Sequence, residues 1–218
     1  MRLYIKCSRN TSPVDFNHQH LLTGVIHKWL GDNHEHGELS LYSFSILSGG
    51  KARNGKLEFD KGTSFFISSY DSSIQKRIID GVQSSPNLFN GIEVEELVIQ
   101  KTPDFSQIEY FQVASPIFIK RNIDDNIKHI SYKDIAADEY LKETLTTKMN
   151  AVGLSDDSLE ISFVRDYRSA KEKLIKYRNV ANKANWCPVI IKGKAETKAF
   201  AWEVGLGNST GIGFGALK

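Results

Sequence analysis

Apolar positions along this chain recur at two spacings, every second residue and every three to four, and their succession predicts an architecture. Residues 2–8 read as a strand. From 15 to 30, Leu21, Leu22, Val25, Ile26, Trp29 and Leu30 make a stripe at helical spacing, with Asp15 placed after Pro13 to cap the helix. Two strands follow, at 39–47 and 56–68, divided by the turn residues Ser48-Gly49-Gly50 and Asn54-Gly55. Asp71 and Ser72 open a second helix carrying Ile74, Ile78 and Val82; Ser84-Ser85-Pro86 ends it, and 92–100 is a strand. The order is β-α-β-β-α-β.

The remainder offers that order again. Ser115-Pro116-Ile117-Phe118-Ile119 predicts a strand, and 132–149 a helix with Ile135, Leu141, Leu145 and Met149 on one side. Strands are expected at 159–165 and, from the alternation of charge and apolarity, at 173–178, with Val189–Lys192 continuing that sheet. A short helix at 196–204 ends at Gly205, and 212–217 is the last strand. The prediction is an α+β chain of two tandem ferredoxin-like (RRM-like) domains, residues 1–114 and 115–218, the second closing on a glycine-rich loop.

Composition narrows the class. At 218 residues, 40% hydrophobic and 25% charged, the chain is that of an ordinary globular protein. No apolar run approaches the roughly 20 residues that span a bilayer, so no membrane contact is expected. The first residues read as a strand rather than a signal peptide. Cys7 and Cys187 lack CxxC spacing, which predicts neither a disulfide nor a zinc site and suits a reducing cytoplasm. The net charge of +2 is unevenly placed: residues 165–198 hold 10 basic side chains against 3 acidic. Just beyond lie Gly205, Gly207, Gly211, Gly213 and Gly215. A Walker loop would need Lys-Ser/Thr after its last glycine, and a dinucleotide fingerprint would need a following helix; neither is present. A basic stretch beside a glycine-rich loop points to a polyanion. The RNP1 pattern of RRM domains is missing, so RNA would be held in some other way.

Three features give the chain a strong resemblance to the CRISPR repeat-processing endoribonucleases, the Cas6 family of the RAMP superfamily. Gly205-Leu206-Gly207, five residues, then Gly213-Phe214-Gly215 fits the family's glycine loop, and it lies at the C-terminal end as in the family. The run His36-Gly37-Glu38-Leu39-Ser40-Leu41-Tyr42-Ser43-Phe44-Ser45-Ile46-Leu47 has the family's histidine after the first helix and a strand beyond it. The doubled β-α-β-β-α-β order extends the likeness over essentially the whole chain. The resemblance implies metal-free and cofactor-free cutting of CRISPR repeat RNA into guide RNAs. The ribose 2′-OH attacks the adjacent phosphate, which needs a base, an acid and a cation.

Of six histidines, His36 is the one the resemblance assigns to proton transfer, with His34 second. His27 reads as structural or surface, His18 and His20 as exposed residues of the first helical turn or else as lining a cleft, and His129 as incidental. Tyr42 is the candidate to orient ribose or phosphate, or else a sheet aromatic beside Phe44. Lys51 is the candidate to offset phosphate charge, or else a solvated turn lysine. Lys171, Lys173, Lys176 and Arg178 are assigned to the RNA backbone, with Lys173 and Lys176 on opposite faces of their strand. Amides of the five loop glycines are assigned to phosphates, the alternative being a loop that packs helix on sheet. Trp186 and Cys187 are expected in core or loop packing. The resemblance also implies a repeat RNA partner, its processed guide and an effector complex, and leaves a homodimer open. Two alternatives remain: a non-catalytic RNA-binding subunit of such a complex, and a ferredoxin-like small-molecule regulator.

Overall fold

The computed structural model describes residues 1–31 and 39–218. Within residues 1–100 the elements are β1 (Arg2–Cys7), α1 (Gln19–Leu30), β2 (Tyr42–Phe44), β3 (Lys51–Arg53), β4 (Lys56–Glu58), β5 (Thr63–Ser69), α2 (Ser72–Ser84) and β6 (Val94–Gln100). The antiparallel sheet runs β2-β5-β1-β6. Register sets Ile5 between Phe65 and Leu97, so Leu3, Ile5 and Cys7 share a face. That face is buried against Leu22, Ile26 and Trp29 of α1 and Ile74, Ile78 and Val82 of α2. Asp71 caps α2 as expected, its side chain accepting from the Ser73 amide at 2.7 Å. Asp15 does not cap α1, which begins at Gln19; its carboxylate pairs with Lys56 instead. The single strand expected over 56–68 is two, β4 and β5, because a turn over 59–62 divides it, the Gly62 amide donating to the Phe59 carbonyl at 2.9 Å with Gly62 left-handed at φ 81°. Asn54 (φ 47°) and Gly55 (φ 72°) fold β3 back onto β4 as a hairpin.

The second half comprises β7 (Tyr110–Phe111), β8 (Lys120–Ile123), β9 (Asn126–His129), α3 (Ala136–Ala151), β10 (Glu160–Phe163), β11 (Lys171–Tyr177), β12 (Val180–Trp186), β13 (Val189–Lys192) and α4 (Ala195–Val204). Its sheet runs β10-β13-β7, and a bridge from Val113 to Leu217 stands where a fourth strand would lie. The two halves are tandem ferredoxin-like domains with hairpins inserted between their sheet strands.

Four expectations are corrected here. The first strand is at 110–111 rather than 115–119: Pro116 has no amide to give a ladder, and Ile117 only bridges Asn185. No strand forms over 212–217, since a 3-10 turn at Thr210–Ile212 and left-handed Gly213 (φ 92°) and Gly215 (φ 70°) interrupt it. β13 does not continue the sheet of β11, which among the described residues pairs with β12 alone. The third helix starts at Ala136, where the Asp134 carboxylate accepts the Ala136 amide at 3.0 Å.

Among the described residues two large cores form, one drawn from residues 3–92 and one from residues 105–217, and Phe118, Ala184 and Phe214 make a small third cluster. Phe105, Phe111 and Val113, which the sequence reading placed in the first half, pack in the second core. Arg2 ties the halves together. Its guanidinium lies 3.7 Å from the Phe66 ring centroid and 3.5 Å from that of Trp202, and it donates to Ser68 Oγ and the Leu217 carbonyl. Among the described residues, no helix is long and apolar enough to cross a membrane.

Candidate functional site

The apolar stripe that docks α1 on its sheet leaves a second stripe, Gln19, Thr23 and His27, at spacings of four. Spacing of four puts them on one helix face, and that face meets the glycine loop. Gln19 Nε2 donates to the Ile212 carbonyl at 2.7 Å, and Thr23 Oγ1 lies 3.4 Å from the same oxygen. One turn on, His27 Nε2 is 3.4 Å from the Gly211 carbonyl and 3.2 Å from Tyr42 Oη. Tyr42 is 2% exposed and donates its hydroxyl proton to Gly211 at 3.0 Å. A carbonyl can only accept, so these partners favour a proton on Nε2 of His27. Of the two readings offered for His27, structural or surface, the half-buried side chain fits the structural one. It joins helix, strand and loop.

The loop itself is built for packing. All five glycines are buried. Gly205 closes α4 at φ 73°, ψ 170°, a region essentially restricted to glycine. Side chains at Gly207 and Gly215 would run into the Phe118 and Leu206 carbonyls. The amides are largely engaged within the protein: Gly205 to Ala201 at 2.9 Å, Leu206 to Gly215 at 2.9 Å, Asn208 to Phe118 at 2.7 Å, Gly213 to Thr210 at 3.2 Å and Gly215 to Pro116 at 2.9 Å. A phosphate cradle from Gly205, Gly213 and Gly215 is thereby corrected, because their N–H groups already serve backbone carbonyls. What comes close is the chain's own backbone at Gly207 and Gly215, backbone and Ser43 at Gly205, and the side chains of Ser40 and Phe44 at Gly211 and Gly213.

A cleft of about 450 Å³ opens between the domains and reaches the loop at Gly213. The N-terminal domain lines it with Phe16, His18, Gln19, Phe44 and the segment Ser45 to Gly50; the C-terminal domain contributes Lys173, Ile175, Lys176 and Trp186. Lys173 Nζ sits 4.2 Å over the Trp186 ring, and burial, with Lys171 nearby, lowers its pKa. His18 is held by the Asp15 carbonyl at 2.9 Å and tilts against Phe89, and burial lowers its pKa as well. Lys173 and Lys176, expected on opposite faces, both border this cleft. Lys171 and Arg178 stand exposed on the same hairpin, Arg178 at its turn with φ 52°. Trp186, expected in packing, turns one face to the cleft. Aromatic rings and lysines along one groove suit single-stranded nucleic acid, whose bases stack and whose phosphates seek cations.

The remaining candidates lie elsewhere. Lys51 is on the exposed β3–β4 hairpin, 3.7 Å from Asp60, and is not among the cleft's lining residues. His34 and His36 fall outside the described residues. His129 packs edge-on against Phe118 at 4.9 Å. Among the described residues, no group of three or more His, Cys, Asp and Glu could hold a metal ion. Sequence reasoning missed His27 as a loop contact and the buried Lys148. Positions i+4 and i+8 from Gln19, and the spacing of Lys148 from Leu141 and Leu145, were the available signals.

Comparison with known proteins agrees with this fold. The family described as CRISPR associated protein Cas6, C-terminal, matches residues 100–218. No curated protein matches the chain in sequence. A Cas6-related protein from Pyrococcus furiosus is 20% identical with a TM-score of 0.86, covering 100% of this chain and 97% of that one. A RAMP protein described as binding different RNA substrates is 20% identical with a TM-score of 0.83, covering 100% and 98%. A Cas6 product complex is 10% identical with a TM-score of 0.61, covering 99% and 98%. These likenesses establish a shared fold.

Proposed function

Since the chain belongs to the Cas6 family of CRISPR-associated proteins, we propose that it is a metal-independent endoribonuclease. It takes the repeat RNA of a CRISPR transcript into the interdomain cleft and cuts it beside the glycine loop to release guide RNAs. One observation carries this reading: an aromatic and cationic cleft ends at the same loop that holds the His27 imidazole. A RAMP relative that binds RNA substrates and a Cas6 product complex support it.

The reaction breaks the P–O5′ bond as the ribose 2′-oxygen forms a new P–O bond. The 2′-proton passes to a base and an acid delivers one to the departing 5′-oxygen, leaving a 2′,3′-cyclic phosphate and a 5′-OH. Two imidazoles are given these transfers: His36, on the family resemblance, and His27, on its place at the loop. Histidine suits both directions because its ordinary pKa lies near neutrality. Tyr42 acts as a positioning residue, its hydroxyl shared between Gly211 and His27. Charge on the phosphate is offset by cleft lysines, Lys173 and Lys176, rather than by Lys51, which faces Asp60. Lys171 and Arg178 extend the grip along the hairpin. The processed guide and an effector complex are the proposed partners, and the cytoplasm, where the transcript is made, the proposed location.

The test is cutting of a labelled CRISPR repeat RNA in EDTA, beside the same RNA carrying one 2′-deoxy sugar at the cut site. Cutting of the first alone, with a cyclic phosphate on the product, supports the reading. Tight binding without cutting assigns the protein to RNA-binding subunits instead.

A further inference from the structure

Lys148 projects from α3 into the protein and is only 3% exposed. Its Nζ lies 3.1 Å from the Val204 carbonyl, 3.4 Å from that of Gly205 and 2.9 Å from Thr210 Oγ1. The two carbonyls are the negative end of α4, a favourable place for a cation. Burial pushes the Lys148 pKa down to about 7. Removing an amine from water without partners is costly, so the three oxygens account for its place here.

Its contacts lead straight to the site. Thr210, which accepts from Lys148, is 3.5 Å from the Ser40 carbonyl and donates toward it. The next residue, Gly211, gives its carbonyl to Tyr42 and His27. A side chain of the C-terminal domain thus fixes the stretch of loop on which an imidazole of the N-terminal domain is set. We propose that Lys148 is a positioning residue of the cutting site, pinning Thr210–Gly211 and through them His27 and the chain at Ser40–Tyr42. The inference rests on the RNA-cutting function proposed above. A role in packing alone would be met equally by an apolar side chain of similar length, and this separates the two roles.

The experiment compares wild type, Lys148→Met, Thr210→Val and Thr210→Ser. Single-turnover cutting and affinity are measured on the repeat RNA, and hydrogen exchange on the free proteins. Lys148→Met and Thr210→Val are expected to cut about tenfold more slowly or worse, as for a lost charge-assisted hydrogen bond beside reacting groups. Their Kd should stay within about threefold of wild type. Thr210→Ser, which keeps the oxygen, should cut like wild type. Exchange should rise in 205–213 and 39–42 in the two slow variants and nowhere else. Wild-type cutting and unchanged exchange in Lys148→Met would overturn the inference. If Lys148→Met does not fold, the Val and Ser variants of Thr210 decide it, equal rates counting against. If wild type does not cut yet exchange rises locally in Lys148→Met, the loop anchor stands and the cutting role falls with the function proposed above.

Discussion

Substituting alanine for three glycines separates the demands a glycine can meet. Gly205 takes φ 73° and ψ 170°, and a Cβ there would lie 2.8 Å from the Gly215 carbonyl oxygen and 2.8 Å from Ser43 Cβ. The backbone region alone costs a side chain about 1–3 kcal/mol. Overlap with a backbone oxygen and a strand residue, neither of which can swing away, adds about 1–3 kcal/mol. Gly205→Ala should therefore lose about 2–6 kcal/mol. Gly153 has φ 76° but open space around its would-be Cβ, so Gly153→Ala should lose only the conformational part, about 1–2 kcal/mol. Gly24 lies exposed within α1, also with open space, and Gly24→Ala should gain up to about 1 kcal/mol. Urea denaturation with a common m-value reads all three. A Gly205→Ala loss no larger than that of Gly153→Ala would refute the view that the loop's glycines answer to close backbone packing.

Other consequences follow from particular side chains. Lys173→Ala and Lys176→Ala should each weaken repeat binding and lower the slope of log K against log salt by about one, measured by filter binding across a salt series; an unchanged slope would remove them from the RNA path. Tyr42→Phe should leave RNA affinity in place and slow single-turnover cutting, because the Gly211 carbonyl loses one of its two donors and His27 a neighbour; an unchanged rate would count against that positioning. Burial alone would raise the Asp156 pKa, but hydrogen bonds from Ser158, Thr197 and the Lys194 amide prevail and bring it to about 2. A lowered carboxylate stabilises the fold above its unfolded pKa and loses that contribution as pH falls through the folded value. Acid unfolding between pH 4 and 2 should therefore be less steep in Asp156→Asn, and parallel curves would contradict it.

Much of the architecture was legible because each half buries one sheet face under two helices, and burial writes periodicity into the sequence. Leu22, Ile26 and Trp29 marked α1; Ile74, Ile78 and Val82 marked α2. The short hairpins left no such record. β3–β4 and β8–β9 are exposed or half-buried along most of their length, so hydropathy could not outline them. Pro116 and two left-handed glycines broke apolar runs that otherwise read as strands. The glycine pattern signalled an approach by something, without naming it, and at Gly207 and Gly215 the Phe118 and Leu206 carbonyls stand where a side chain would lie. His27 was set aside because the apolar stripe of α1 dominates its pattern, while Gln19, Thr23 and His27 count only once the loop is in place. Lys148 sits at helical spacing from Leu141 and Leu145, yet the oxygens that hold it are supplied from residues 204–210.

The central claim is that one site cuts what the cleft holds. Single-turnover cutting and RNA affinity measured together on His27→Ala and on the pair Lys173→Ala/Lys176→Ala test it most directly. Opposite patterns are expected. His27→Ala should lose cutting by a factor of about 100 or more with affinity kept, and the lysine pair should lose affinity while cutting near the wild-type rate at saturating RNA. Wild-type cutting by His27→Ala, or unimpaired binding by the lysine pair, would contradict it.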